Sequence, residues 1–144
     1  MATFQTEVPV RFGHCDPAGI VYYPRYFDMI NDVVEDWFED GIGTSFPGLM
    51  YHQGLTTPTV HFNVDFSAES RFGDRLTYRL NVKKVGKTSV ETYIEASCQG
   101  TVRLKVKQVL VFIDIKTRKP TKIPDELHRK ISRYKFDEES TAAG

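Results

Sequence analysis

PRYFDMINDVVEDWFEDG, residues 24–41, is the stretch on which the fold turns. Phe27, Ile30, Val34, Trp37 and Phe38 recur at three- and four-residue spacing, and Tyr26 and Val33 widen the stripe. That period marks an amphipathic helix with one buried face. Pro24 suits the first helical position, where its missing N–H is not needed, and Gly41 and Gly43 suit the stop. Asn31, Asp32, Glu35, Asp36, Glu39 and Asp40 fill the other face. The last two sit against the negative end of the helix dipole, for which the local sequence offers no reason.

Downstream of the helix, residues 44–56 read as irregular, and strands follow at about 57–66, 75–85, 88–98 and 101–115. Turn signals at Gly73-Asp74, Gly86-Lys87 and Gly100 separate them, and connections that short join antiparallel neighbours. In TVRLKVKQVLVFIDI, residues 101–115, apolar Val102, Leu104 and Val106 alternate with Arg103, Lys105 and Lys107, so one face is expected to be buried. Pro120 and Pro124 end the sheet, a short helix is expected near 125–133, and DEESTAAG, residues 137–144, reads as a disordered tail. Upstream, residues 4–12 read as a half-buried strand in which Pro9 marks an edge or an end. Between that strand and the helix lies GHCDPAGIVYYP, residues 13–24, a loop punctuated by Gly13, Asp16-Pro17, Gly19 and Pro24. The expectation is an α+β fold in which a curved antiparallel sheet wraps around one long central helix, as a single domain over residues 1–136.

Composition narrows the function classes. The chain has 144 residues, 40% hydrophobic and 26% charged, enough for one packed core. Nineteen Lys+Arg balance nineteen Asp+Glu, so no global field drives the chain onto nucleic acid or an anionic membrane. No segment approaches the roughly 20 apolar residues that span a bilayer, and the N-terminus lacks a basic, apolar leader, so a cytoplasmic location is expected. Cys15 and Cys98 are expected to be free thiols. His14, Asp16 and a distant His52 or His61 lack metal-ligand spacing, so no metal is expected.

The run RFGHCDPAGIVYYPRY, residues 11–26, resembles the 4-hydroxybenzoyl-CoA thioesterase family of hotdog-fold acyl-CoA thioesterases. The likeness is close at residues 16–21 with Tyr23-Pro24, and extends more weakly from about residue 8 to 115, taking in RFGD at 71–74. It implies hydrolysis of an acyl-CoA, with an aromatic acyl group among those possible, to the free acid and CoA. No cofactor is implied, and the assembly implied is a homodimer or homotetramer. It places the catalytic aspartate on Asp16, and on Tyr23 the backbone amide that polarises the thioester carbonyl.

Elementary chemistry supports the same roles. Attack on a thioester carbonyl leaves negative charge on oxygen, and a helix N-terminus offers N–H donors to receive it. Tyr23 stands where a Ser, Thr, Asp or Asn would normally cap those donors, so they are expected to be free for a ligand. Asp16, on the loop just upstream, can attack the carbonyl itself or take a proton from water. Asp-Pro is also an ordinary turn former, and both readings stay open on the residues alone. His14 departs from the family, where an acidic residue is usual, and it either orients Asp16 or is a loop histidine. Tyr22 is pocket wall or core. Thr57-Pro58-Thr59 aligns with a family segment near the active site, so a hydroxyl of Thr57 or Thr59 is a candidate to orient Asp16. The family's nucleotide-binding arginines fall at Gly86-Lys87, which leaves Lys87 to hold the CoA phosphates.

Other readings compete. A second hotdog class uses a carboxylate inside the helix, for which Glu35 and Asp36 are available, although both lie on the polar stripe. The carrier is CoA or an acyl-carrier protein, since both end in the same pantetheine thioester. A non-catalytic acyl-CoA binding module on the same fold is the main alternative in function.

Overall fold

The computed structural model describes residues 2–136; the tail expected at 137–144 lies outside the described residues. The apolar stripe makes helix α1 (Arg25–Asp36), which continues without a break into a π-helical turn over Trp37–Ile42. Tyr26, Met29, Ile30, Val33, Val34, Trp37, Phe38 and Ile42 are all buried. Burial of each such large side chain contributes about 1.5–3 kcal/mol. The run ends at Gly43, whose φ of 87° turns the chain left-handed while its N–H donates to the Phe38 carbonyl at 2.8 Å. Gly41 does not end the helix; it lies inside the π turn.

Seven strands are present among the described residues: β1 (Phe4–Pro9), β2 (Leu55–Thr56), β3 (Thr59–Phe66), β4 (Arg75–Val85), β5 (Ser89–Cys98), β6 (Thr101–Val111) and β7 (Ile113–Asp114). Five form one antiparallel sheet in the order β1-β4-β5-β6-β3, and β2 pairs with β7 separately. The register gathers one buried face. Leu80 stands opposite Ile94, Ile94 opposite Val106 and Val106 opposite Val64, while Tyr78, Ala96, Leu104 and Phe66 make the next row. Helix α1 packs on that face, with the Tyr78 hydroxyl 3.5 Å from Met29 Sδ and the Phe27 ring edge-on to Phe62 at 5.4 Å. At the sheet edge, β3 exposes Val60 and Phe66.

Four expectations need correction. Residues 44–56 are not irregular: they hold helix α2 (Phe46–Gln53), whose first turn is capped by Ser45 Oγ accepting the Gly48 N–H at 3.0 Å. With α3 (Asp125–Ser132) there are three α-helices rather than one long helix and a short one. The strand expected at 101–115 stops at Val111, and Ile113–Asp114 leave to pair with β2. Arg103 is not on the solvent face with Lys105 and Lys107. Ser97 pairs with Val102 and Ala96 with Leu104, so Arg103 is the extra residue of a bulge and is buried. None of the helices among the described residues is long and apolar enough to cross a membrane.

Candidate active site

Residues 14–22 double back as a miniature hairpin whose turn chemistry is explicit in the sequence. Asp16, Pro17, Ala18 and Gly19 occupy the four positions of a turn closed by Gly19 N–H donating to the Asp16 carbonyl at 2.9 Å. Asp at the first position, Pro at the second and Gly at the fourth are the preferred residues there. Asp16 Oδ1 accepts the Ala18 N–H at 2.9 Å, which fixes the carboxylate; among the described residues Oδ2 has no hydrogen-bond partner. Asp16 is thus both turn former and half-buried carboxylate with one oxygen to spare. The legs are zipped by Asp16 N–H to Ile20 O and Tyr22 N–H to His14 O, each at 2.9 Å.

The hairpin rests on the turn between β3 and β4. Val21 N–H donates to Ser70 O at 2.9 Å and Phe72 N–H to Gly19 O at 3.0 Å, while Gly73 N–H donates to Val10 O and Val10 N–H to Asp74 O. Its exit leads directly into α1. There the amides of Arg25, Tyr26 and Phe27 are not free, because each donates to the carbonyl three residues back, Tyr22, Tyr23 and Pro24 respectively. The helix begins at Arg25 with Pro24 as its cap, one residue later than the sequence indicates. What remains is the Tyr23 amide, which donates to no protein acceptor among the described residues. The expected set of free donors contracts to that single N–H.

Aromatic side chains surround this point. The exposed rings of Tyr22 and Tyr23 meet edge-on at 5.6 Å, and Phe66 at the end of β3 touches Tyr23 at 6.4 Å and Tyr26 at 5.6 Å. Tyr22 is therefore not part of the core. His14 is engaged elsewhere: its Nδ1 accepts the Arg11 N–H at 2.9 Å, closing a 3-10 turn over Phe12–His14 and leaving Nε2 to carry the ring proton of the neutral form.

Thr57, Thr59 and Lys87 lie at the other end of the strands. Thr59 begins β3 beside Leu110, and the Lys87 hairpin joins β4 to β5 at the same end, with Val90 opposite Leu110. The Tyr23–Phe66 contact is at the far end of β3, whose eight residues span about 23 Å. Within one chain, neither threonine nor Lys87 is brought to Asp16. The Thr59 hydroxyl accepts from Gln108 Nε2 at 3.0 Å, and Thr57 has no side-chain hydrogen bond among the described residues. His61 shares that remote end, so it does not converge on His14 and Asp16. Glu35 stays on the exposed face of α1; half-buried Asp36 has its carboxyl pushed up by burial and by Asp40, Asp32 and Glu39. A cavity of about 560 Å³ occupies the other face of the sheet, lined by His61, Tyr93, Lys105, Lys107 and Phe136, and does not include Asp16.

Ser70, Asp74 and Arg103 carry the hairpin's support and were not legible as site residues. The only signal was RFGD at 71–74, readable as a turn.

Known proteins resemble this chain in sequence and in fold. Over 137 residues the chain is 27% identical to the 1,4-dihydroxy-2-naphthoyl-CoA hydrolase of Nostoc punctiforme, covering 95% of this chain and 92% of that protein. Over 76 residues it is 29% identical to the 4-hydroxybenzoyl-CoA thioesterase of Pseudomonas sp. (strain CBS-3), covering 52% of this chain and 54% of that enzyme. The solved structure of a 1,4-dihydroxy-2-naphthoyl-CoA thioesterase from Synechocystis matches the fold with a TM-score of 0.81 at 24% identity, covering 91% of this chain and 96% of that one. Residues 10–131 match the Thioesterase-like superfamily. With the resemblance to hotdog-fold acyl-CoA thioesterases thereby borne out, the chain belongs to the Thioesterase-like superfamily of thioester hydrolases.

Proposed function

We propose that the chain hydrolyses an aromatic acyl-CoA to the free acid and CoA, with Asp16 acting on the thioester carbonyl and the Tyr23 amide receiving the oxyanion. The observation that carries this is the unpartnered Tyr23 N–H at the exit of the hairpin that holds Asp16. A preoriented donor of this kind is worth about 10²–10³ in rate. The aromatic preference rests on the Tyr22, Tyr23 and Phe66 rings beside that donor and on the two relatives that act on aromatic acyl-CoA. Free thiols at half-buried Cys15 and buried Cys98 fit a reducing, cytoplasmic setting.

The working unit is a homodimer in this reading. Edge strand β3 leaves one side unpaired and exposes Val60 and Phe66, which two copies pairing β3 antiparallel would cover. That pairing brings the Thr57, Thr59 and Lys87 end of one copy to the Asp16 and Tyr23 end of the other, supplying phosphate contacts that one chain cannot.

Thiol release from aromatic, short and long aliphatic acyl-CoAs, and from an acyl-carrier-protein thioester, tests the reaction and carrier. Asp16→Asn keeps the Oδ1 acceptor for Ala18 N–H while removing charge, so folding should survive and turnover should fall about 10²–10⁴-fold. No thiol release from any thioester, with binding retained, would mean a binding module. A single turnover in ¹⁸O-water separates the two roles of Asp16, since label left on the aspartate requires a mixed anhydride.

A further inference from the structure

We propose that Arg103 is a positioning residue for thioester hydrolysis, holding the Asp16 hairpin and the Tyr23 amide in register through the β3–β4 turn. The inference rests on the roles given above to Asp16 and Tyr23.

The bulge in β6 turns the Arg103 side chain off the solvent face and into the end of the sheet, where 9% of the residue remains exposed. Its Nη1 donates to the Glu69 carbonyl at 3.0 Å, the Ser70 hydroxyl at 3.3 Å and Asp74 Oδ2 at 2.8 Å; Nη2 donates to the Cys98 carbonyl at 3.4 Å. The Arg103 carbonyl in turn accepts from Ser67 and Ala68 N–H. Asp74 Oδ2 also takes the Arg71 N–H at 2.9 Å. The guanidinium thus gathers Glu69, Ser70 and Asp74, while the Arg103 main chain holds Ser67 and Ala68.

This turn holds the hairpin by backbone bonds, Ser70 O to Val21 N–H and Phe72 N–H to Gly19 O. Val21 is two residues from Tyr23. On the first turn of α1, Tyr26 is buried with Ser70 among its polar neighbours, and burial pushes its phenol further up. Arg103 therefore reaches the Val21 flank of the proposed oxyanion donor through Ser70. A buried ion pair is weak as a source of net stability, because desolvation offsets its attraction. What the planar guanidinium supplies that an apolar residue cannot is direction, with several acceptors held at once.

Arg103→Met, Arg103→Lys and Asp74→Asn are compared with the wild type in steady-state hydrolysis of its best acyl-CoA and by amide hydrogen exchange. A misplacement of about 1 Å costs on the order of 10²-fold, so kcat for Arg103→Met should fall about 10–100-fold with KM little changed. Arg103→Lys should recover part of the loss, since one ammonium keeps Asp74 and loses most of the carbonyls. Exchange at Val21 and Phe72 should speed up at least about tenfold, while Ile94 in mid-sheet stays as slow as in the wild type. Unchanged exchange at Val21 overturns the proposal; so does faster exchange with kcat within twofold of wild type. Should Arg103→Met fail to fold, Arg103→Lys and Asp74→Asn decide by the same two readouts. Turnover surviving in Asp16→Asn defeats the site reading instead, and the exchange arm still shows whether Arg103 holds the hairpin.

Discussion

Gly41→Ala sets two opposing effects against each other inside the π turn. In a helix interior, alanine is favoured over glycine by about 1 kcal/mol, so propensity alone predicts stabilisation. Packing predicts the reverse. A Cβ on Gly41 would lie 2.8 Å from Trp37 Cδ1, 2.8 Å from the Tyr134 hydroxyl and 3.3 Å from Phe4 Cδ1, against about 3.5–4.0 Å for a comfortable carbon contact. The Trp37 ring is fully buried between Phe38 and Tyr134 and has nowhere to go. Tyr134 can retreat only by giving up the bond its hydroxyl donates to the Gly41 carbonyl at 2.9 Å, worth about 1 kcal/mol. With about 1–3 kcal/mol for overpacking, the sum is a net loss of about 1–3 kcal/mol. Urea unfolding should show the midpoint shift at unchanged slope. Because Gly41 lies about 24 Å along the helix from Arg25, kcat at a temperature well below unfolding should not change. A Gly41→Ala protein as stable as the wild type, or more so, would refute the packing argument.

Asp36 has a raised carboxyl in the folded state, so the fold binds a proton the unfolded chain has released; stability therefore falls as pH rises through that window. Asp36→Asn should stabilise by about 0.5 kcal/mol at pH 7, the scale of a like-charge pair one turn apart, and the gain should vanish below about pH 4 in thermal melts. Lys87→Ala should raise KM for acyl-CoA about twofold to fivefold, weaken its salt dependence and spare kcat; a fall in kcat at fixed KM would count against Lys87 as a phosphate ligand. Val60→Lys places a charge on the exposed edge of β3 and should shift light scattering toward the 16.5 kDa monomer with loss of kcat/KM, whereas an unchanged mass places the subunit contact elsewhere.

The sequence made α1 legible because its apolar stripe and its buried face are the same residues, and the sheet because short turns leave antiparallel pairing as the simple option. Helix α2 escaped notice since Pro47 and Gly48, two poor helix formers, occupy its first turn, where a proline is in fact harmless. Arg103 escaped for a different reason: strict alternation assumes two residues per repeat, and one bulge inverts it. At the site, the missing polar cap at Tyr23 pointed to free amides in the first turn of α1, whereas those of Arg25, Tyr26 and Phe27 are bonded and the amide left over is Tyr23's own. That the next three amides turn back to Tyr22, Tyr23 and Pro24 is a matter of helix entry geometry and has no residue signature. Thr57, Thr59 and Lys87 show a further limit, since likeness along the chain does not say at which end of a strand a residue falls.

The hairpin that carries Asp16 is seated on its neighbours almost wholly by main-chain bonds, through Val10, Gly19, Val21, Ser70, Phe72 and Gly73. Such a mounting is indifferent to most of the side chains it displays. Arg71 and Phe72 are exposed on it, so they are free to vary among descendants of this chain without moving the carboxylate. Gly19 and Gly73 are not, with φ of 79° and 93°. Mutational tolerance around the site should therefore alternate sharply along the chain, with two fixed glycines amid replaceable neighbours. That arrangement gives a thioesterase room to acquire a new acyl preference by surface substitution while its chemistry stays in place.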